Sequence, residues 1–393
     1  MKRLPNIQVL RACAALMIVI DHCGIETGRL AAAHGQAALY DGSSWGAGVP
    51  LFFAISGFIM VATSANKFGS STATLDFMRR RIIRIAPVYW LVTTAALAVF
   101  LVAPALMKKW PHGDYLYVAA SYLFFPYMRL SGDVRPLATP GWTLNLEMLF
   151  YVVFTVALLF PRRVGLSVLF GGLGLLVAAQ VSGILPGVAL NFWGDPIVLG
   201  FLFGAAIGIA YVKGWRLSGI WALTFTAIGF YALFHATLPN LPKNNLFQRL
   251  ANAIPAAVIV MSFALGPQVD ERKWLWWPAL LIGDASYSLY LAHEFLLRAL
   301  HMVWTKMLGG LLPLWTFIPI GMTIAISAAV VLYWLFEKPV TLWLNAATKR
   351  KRVQFLSTSC RQSSAAVHSG ADAALQPACA RNAVPALGPN QVG

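Results

Sequence analysis

Apolar runs of about twenty residues recur along almost the whole of this chain. Wound as a helix, a run of that length matches the hydrocarbon thickness of a bilayer. Lipid offers no hydrogen bonds, so each backbone N–H and C=O must be satisfied inside the segment, and a helix does this. Ten runs are read, near 6–24, 46–64, 83–104, 142–160, 164–182, 195–212, 217–237, 250–268, 276–299 and 313–336. Composition agrees. Of 393 residues, 59% are hydrophobic and 11% charged, against roughly 25% charged in a soluble domain. A soluble enzyme, a disordered chain and a disulfide scaffold are excluded. The expected fold class is all-α: a polytopic transmembrane helix bundle of about ten spans over residues 1–345. Residues 346–393 read as a basic stretch followed by a low-complexity tail rich in Ala, Ser, Gly and Pro, expected to be disordered.

The formal net charge is +16, from 30 Lys and Arg against 14 Asp and Glu. In a soluble protein this would suggest nucleic acid; here the basic residues lie mostly in short clusters between apolar runs, and no nucleic-acid partner is expected. Placing Lys2 and Arg3 in the cytoplasm puts five further clusters on the same side. These are Lys67 with Arg79, Arg80, Arg81 and Arg84; Arg162 and Arg163; Lys213 and Arg216; Arg272 and Lys273; and Lys338 with Lys349, Arg350, Lys351 and Arg352. The opposite side holds fewer, among them Arg29, Lys108, Lys109, Arg129 and Lys243. By the positive-inside rule both termini are cytoplasmic. A short aromatic stretch, Tyr115 to Met128, is either an eleventh, thin span or an interfacial segment; as a span it would invert this balance. Lys2 and Arg3 before an apolar stretch imitate a signal peptide. But Arg11 interrupts that stretch, Asp21-His22 closes it and more spans follow, so an uncleaved first helix is expected.

In such a bundle the informative residues are the ionisable ones inside spans, each costing a few kcal/mol or more at the bilayer centre. Arg11 and His22 stand eleven residues apart on the first helix, about three turns and about 16 Å along one face. A neutral His is a general base near pH 7, and Arg is a fixed cation. The plainer reading is that Arg11 snorkels inward and His22 marks the outer interface. On the fourth helix Glu147 is expected about 9 Å in from the outer end, level with His22. On the ninth, Gly283-Asp284-Ala285-Ser286-Tyr287 leads to His293 and Glu294, with His293 again in the outer half. Ser, Tyr and His also glue membrane helices together, which is the competing reading for His293. His293-Glu294 lacks the second His of a zinc motif, and the four cysteines have no metal or redox spacing, so no metal is expected. His34, His112, His235, His301 and His368 fall in loops, at span ends or in the tail.

The run Arg79-Arg80-Arg81-Ile82-Ile83-Arg84 before the third span reads first as a positive-inside anchor. It also suits an anion, since several guanidinium groups at one entrance hold phosphates well. No Walker or Rossmann glycine loop accompanies it.

Taken together these residues resemble the acyltransferase 3 family of integral-membrane acyltransferases. The matching pieces are the Arg11 to His22 spacing, Gly48-Val49-Pro50-Leu51-Phe52-Phe53-Ala54-Ile55-Ser56-Gly57-Phe58, Arg80 to Arg84 with Pro87, Trp142-Thr143-Leu144-Asn145-Leu146-Glu147 with Phe150-Tyr151, Ser286 to His293, and Phe336-Glu337-Lys338-Pro339. They follow in family order over about residues 4 to 340. The opening residues and Phe192-Trp193-Gly194-Asp195-Pro196 look like the exopolysaccharide branch. Thr143 stands where the family often has Ser, which keeps the hydroxyl.

The resemblance implies a membrane-bound O-acyltransferase that moves an acetyl or similar group from acyl-CoA to a hydroxyl of a cell-surface or exopolysaccharide sugar, in a bacterial inner membrane. No permanently bound cofactor is implied; acetyl-CoA is a donor substrate. The acceptor is a polysaccharide or lipid-linked sugar. Arg80, Arg81 and Arg84 would hold the donor phosphates, with Arg11 along its path. His22 would be the base, Glu147 would orient it, and Tyr287 and His293 are weaker acceptor-side candidates. A transporter, a non-catalytic partner of a polysaccharide synthase, and acylation of lipopolysaccharide or peptidoglycan stay open as rivals.

Overall fold

The computed structural model describes residues 4–33, 35, 45–102, 114–129, 132–236, 238, 241–242, 244–308 and 311–348. Among them no strand occurs. The expected tail from 349 onward, with Cys360 and Cys379, lies outside the described residues, as do Lys2, Arg3, His34, Lys108, Lys109, His112 and Lys243. The account below concerns the unit that ends at Lys338.

Seven described helical stretches are long and apolar enough to cross a membrane: Pro5–Ala33, Ser71–Val102, Gly141–Leu158, Arg162–Val181, Gly187–Val212, Leu246–Leu265 and Leu314–Thr348. Two shorter apolar helices, Gly48–Ser64 and Gly219–Phe234, join them. In chain order the α-helices are α1 Pro5–Ala33, α2 Gly48–Ser64, α3 Ser71–Val102, α4 Tyr115–Tyr122, α5 Gly141–Leu158, α6 Arg162–Val181, α7 Gly187–Trp193, α8 Leu199–Val212, α9 Gly219–Phe234, α10 Leu246–Leu265, α11 Trp277–Asp284, α12 Ser286–Val303 and α13 Phe317–Leu332. Helix starts carry the residues that stop chains from winding further back. Ser218 accepts from Trp221 N, and Asn245 from Phe247 N. Leu175, Ile220 and Leu223 are each more than 70% exposed, a surface that suits lipid.

Three stretches read from the sequence take a more definite form here. The first helix runs on past Asp21-His22, which ends the apolar stretch: α1 has 29 residues in all, and Asp21 and Glu26 are buried within the protein. The stretch from Tyr115, read either as a thin span or as an interfacial segment, is too short a helix to be among the seven long apolar ones. Its helix has 8 residues, about 12 Å of rise, and it is strapped to α3 by Tyr89 OH donating to Ser121 O at 2.7 Å and Trp90 Nε1 donating to Tyr122 O at 2.9 Å. The ninth run is not one helix, because it breaks at Ala285 into α11 and α12. A Cβ on Gly283 would stand 2.2 Å from Gln8 O, so α11 lies directly on the backbone of α1.

α1, α2, α8 and α10 pack together, and α1, α2 and α10 from this core, with α3, α5 and α12, supply much of the lining of the site described below. α2 and α8 touch through their backbones: a Cβ on Gly204 would fall 1.9 Å from Ala54 O, and one on Gly57 2.0 Å from Phe201 O. Small residues at four-residue spacing (Gly200, Gly204, Gly208) permit this approach, as in other membrane helix pairs. Phe53, Phe150 and Phe201 stack across the same seam. Near the end of the unit a π-helical turn, Tyr333–Glu337, brings Glu337 inward; it is 3% exposed and accepts a hydrogen bond from Ser288 Oγ at 2.6 Å.

Candidate active site

Two cavities adjoin inside the bundle, sharing Val49 and Tyr290 in their walls. One, of about 290 Å³, is lined by Arg11, Arg81, Arg84, Ser56, Glu147 and Tyr151 among others. The other, of about 580 Å³, is lined by Asp21, His22, Trp142, Asn252, His293 and Glu294 among others. α1 serves both, because eleven residues of helix carry it from Arg11 in the first to His22 in the second.

In the arginine-lined cavity, Arg81 and Arg84 come from one face of α3, three residues apart. The Arg81 guanidinium lies over the rings of Phe77 at 5.3 Å and Tyr151 at 5.9 Å, a placement that holds a cation while leaving its hydrogens for an anion. Arg11 donates to Gln8 Oε1 at 3.1 Å and is near Arg84, Glu337, Asp284 and Glu147. Glu147 Oε1 accepts from Ser56 Oγ at 3.0 Å and from the Tyr151 hydroxyl. Tyr287 also lines this cavity and donates to Ile85 O at 2.7 Å, two residues before Pro87. Below it, in the turn after α2, burial and then the neighbouring Arg80 and Arg81 hold the Lys67 ammonium below its ordinary value, a sign of how densely positive charge is gathered here.

In the histidine-lined cavity the two rings meet edge to face, with centroids 4.7 Å apart and planes at 85°. Each ring is tied to its own helix one turn back. His22 Nδ1 is 2.9 Å from Ile18 O, and His293 Nδ1 is 3.1 Å from Leu289 O. A carbonyl oxygen only accepts, so both Nδ1 atoms carry the proton and both Nε2 atoms carry a lone pair in the neutral ring. His293 is 1% exposed, and its Nε2 has no hydrogen-bond partner. Across the cavity, Asn252 donates to Gln248 O at 2.9 Å, and Arg249 pairs with Asp195 at 2.8 Å.

Between the cavities stands Tyr290. Its hydroxyl donates to Pro140 O at 3.0 Å and sits 2.8 Å from Thr143 Oγ1. Its ring contacts Phe52 on one side and His293 on the other.

Several expectations change here. Glu147 is not level with His22 and does not touch it. A depth measured from the start of α5 puts Gly141 at the membrane edge, but Gly141 is itself buried, with room for no Cβ beside the Tyr89 ring. Tyr287 lines the arginine-lined cavity and not the one that holds His293, six residues and about 9 Å of helix away. Arg80 is exposed and lines neither cavity, since it points about 100° away from Arg81. Tyr290, Ser56 and Asn252 carried no role in the sequence reading. The spacing of Tyr290 three residues before His293 was a signal for it.

The acyltransferase-domain family known as acyltransferase 3 matches residues 4–334, a stretch that contains both cavities. The chain belongs to the acyltransferase 3 family. The chain is also similar to two proteins. The exopolysaccharide production protein ExoZ of Rhizobium meliloti (strain 1021) is 35% identical over 303 residues, covering 75% of this chain and 89% of that protein. The acyltransferase MdmB of Streptomyces mycarofaciens is 24% identical over 331 residues, covering 78% and 81%. No solved structure matches the chain. As an acyltransferase 3 protein with this many apolar helices, it is a multi-pass membrane acyltransferase.

Proposed function

We propose that this protein transfers an acyl group, acetyl in the simplest case, from acyl-CoA to a hydroxyl of an exopolysaccharide or other cell-surface sugar, in a bacterial inner membrane crossed about ten times with both termini in the cytoplasm. The single observation that supports it most is the pairing of two unlike cavities across one wall: fixed cations on one side of Tyr290, two free imidazole nitrogens on the other. Cationic groups suit the phosphates of a CoA ester, and Arg81, Arg84 and Arg11 would receive them from the cytoplasmic side. The name of the relative ExoZ supports an exopolysaccharide acceptor.

In this reading the acceptor hydroxyl enters the histidine-lined cavity and gives its proton to His22 Nε2 as its oxygen attacks the thioester carbonyl. The C–O bond forms, the C–S bond breaks, and the proton returns from His22 to the leaving thiolate. Ile18 O, rather than a carboxylate, fixes the His22 tautomer, the part that the third member plays in a catalytic triad. Glu147 belongs to the donor side, where its bonds to Ser56 and Tyr151 shape the cavity under Arg81. An acyl-histidine relay on His22 is the alternative course of the same reaction.

Membranes containing the protein, given radiolabelled acetyl-CoA, are expected to place alkali-labile label on polysaccharide. A transporter or a scaffold would place none, and label that resists alkali would exclude an ester. Mass spectrometry of surface glycans with and without the gene identifies the acyl group and the sugar.

A further inference from the structure

Resting on that reading, we infer that His293 recognises the acceptor: its Nε2 takes the hydroxyl adjacent to the one that His22 deprotonates, so the enzyme selects a sugar with two neighbouring free hydroxyls. Three observations lead there. His293 Nε2 is a buried acceptor without a partner in a cavity wall. Such an atom costs about 1–3 kcal/mol when left dry and unpaired, and a ligand hydroxyl satisfies it. Second, the two imidazoles are held alike, each with its Nδ1–H on the carbonyl one turn back, which leaves Nε2 as the free acceptor of each ring. Third, the rings touch. Two Nε2 acceptors on rings with centres 4.7 Å apart suit two hydroxyls on adjacent carbons, and a lone alcohol leaves one of them unfilled.

The rest of the cavity suits the same ligand class. Trp142 and Asn252 line the cavity, residue types that suit the C–H side and the hydroxyls of a pyranose, and Glu294 there is paired with Arg298. Arg249 is already neutralised by Asp195, so the wall favours a neutral sugar over an acidic one. A site built to bond a hydroxyl discriminates strongly against the analogue that lacks it, because its own polar atom is then stranded.

The test uses the full-length protein in membranes, labelled acetyl-CoA, and methyl glycosides of glucose and galactose with their monodeoxy analogues. For the wild type, removing the hydroxyl beside the acylated position should lower kcat/KM at least tenfold, and removing a remote one should change it little. His293→Ala should raise the acceptor KM with a smaller effect on kcat, and should bring the ratio between the parent glycoside and the neighbour-deoxy analogue close to one. His293→Gln, which keeps an acceptor oxygen, should restore part of the preference, and it serves if the alanine variant does not reach the membrane. A wild type indifferent to the neighbouring hydroxyl overturns the inference while leaving acyl transfer intact, as does a His293→Ala variant that keeps the preference. If the wild type labels none of the glycosides, the sugar-acceptor reading falls, and this inference falls with it.

Discussion

His22 and His293 meet edge to face at 4.7 Å, and Glu147, the carboxylate that sequence alone pairs with His22, instead accepts hydrogen bonds from Ser56 and Tyr151 in the neighbouring cavity. The two cavities are therefore unlike: a pair of imidazoles in one wall, and Glu147 beside Arg81 and Arg84 in the other.

If His22 is the base, His22→Ala lowers transfer by about a hundredfold to ten-thousandfold, the usual worth of a positioned general base. Membrane abundance stays the same. Label transferred from acetyl-CoA, normalised to protein by immunoblot, measures this; full activity in the variant would remove His22 from the chemistry.

Glu147→Gln keeps the shape and removes the charge. Its bonds from Ser56 and Tyr151 weaken, each charge-assisted bond being worth about 1.5–3 kcal/mol. The expected result is a rise of about tenfold or more in the KM for acyl-CoA, with the acceptor KM unchanged. An effect on the acceptor KM alone would return Glu147 to the histidine side.

The arginines are not equivalent. Arg84→Ala and Arg81→Ala, which line the cavity, should weaken acyl-CoA binding by about tenfold or more, as expected for loss of a charge-assisted phosphate contact. Arg80→Ala, on an exposed side chain, should change it only slightly. Equilibrium binding of a non-hydrolysable CoA thioether to purified protein separates the three, and equal losses would contradict the placement.

Gly204→Leu should be poorly tolerated. There is no room for a side chain between α8 and the Ala54 carbonyl, and overpacking of this kind costs about 1–3 kcal/mol or more. The variant should lose thermal stability in detergent by fluorescence-detected size exclusion. A variant as stable as the wild type would mean that α2 and α8 stand further apart.

Much of the helical plan was legible as apolar runs, because length and hydrophobicity are local properties. The arginine cavity was only partly legible. Arg81 and Arg84 share a face by simple spacing, but Arg80 was grouped with them because a cluster in sequence hides the 100° turn between neighbours. Depth was the least legible quantity. Glu147 was placed by counting from Gly141, and nothing local reveals that Gly141 is packed under Tyr89. The packing of Gly283 against the Gln8 backbone is likewise hidden, because it joins two distant helices. The contact between His22 and His293 required two helices to be brought together, which no spacing within either one encodes.

Tyr290, pinned at its hydroxyl by Pro140 and Thr143, makes the partition between the two cavities one side chain thick. On the proposed reading, neither substrate ever crosses the lipid: the cell exports two carbons while its coenzyme and its ion gradients stay sealed inside. A protein arranged this way needs no gate, no alternating states and no energy source beyond the thioester, and Tyr290→Ala should turn it into a leak, releasing free labelled acetate from acetyl-CoA even when no sugar is present.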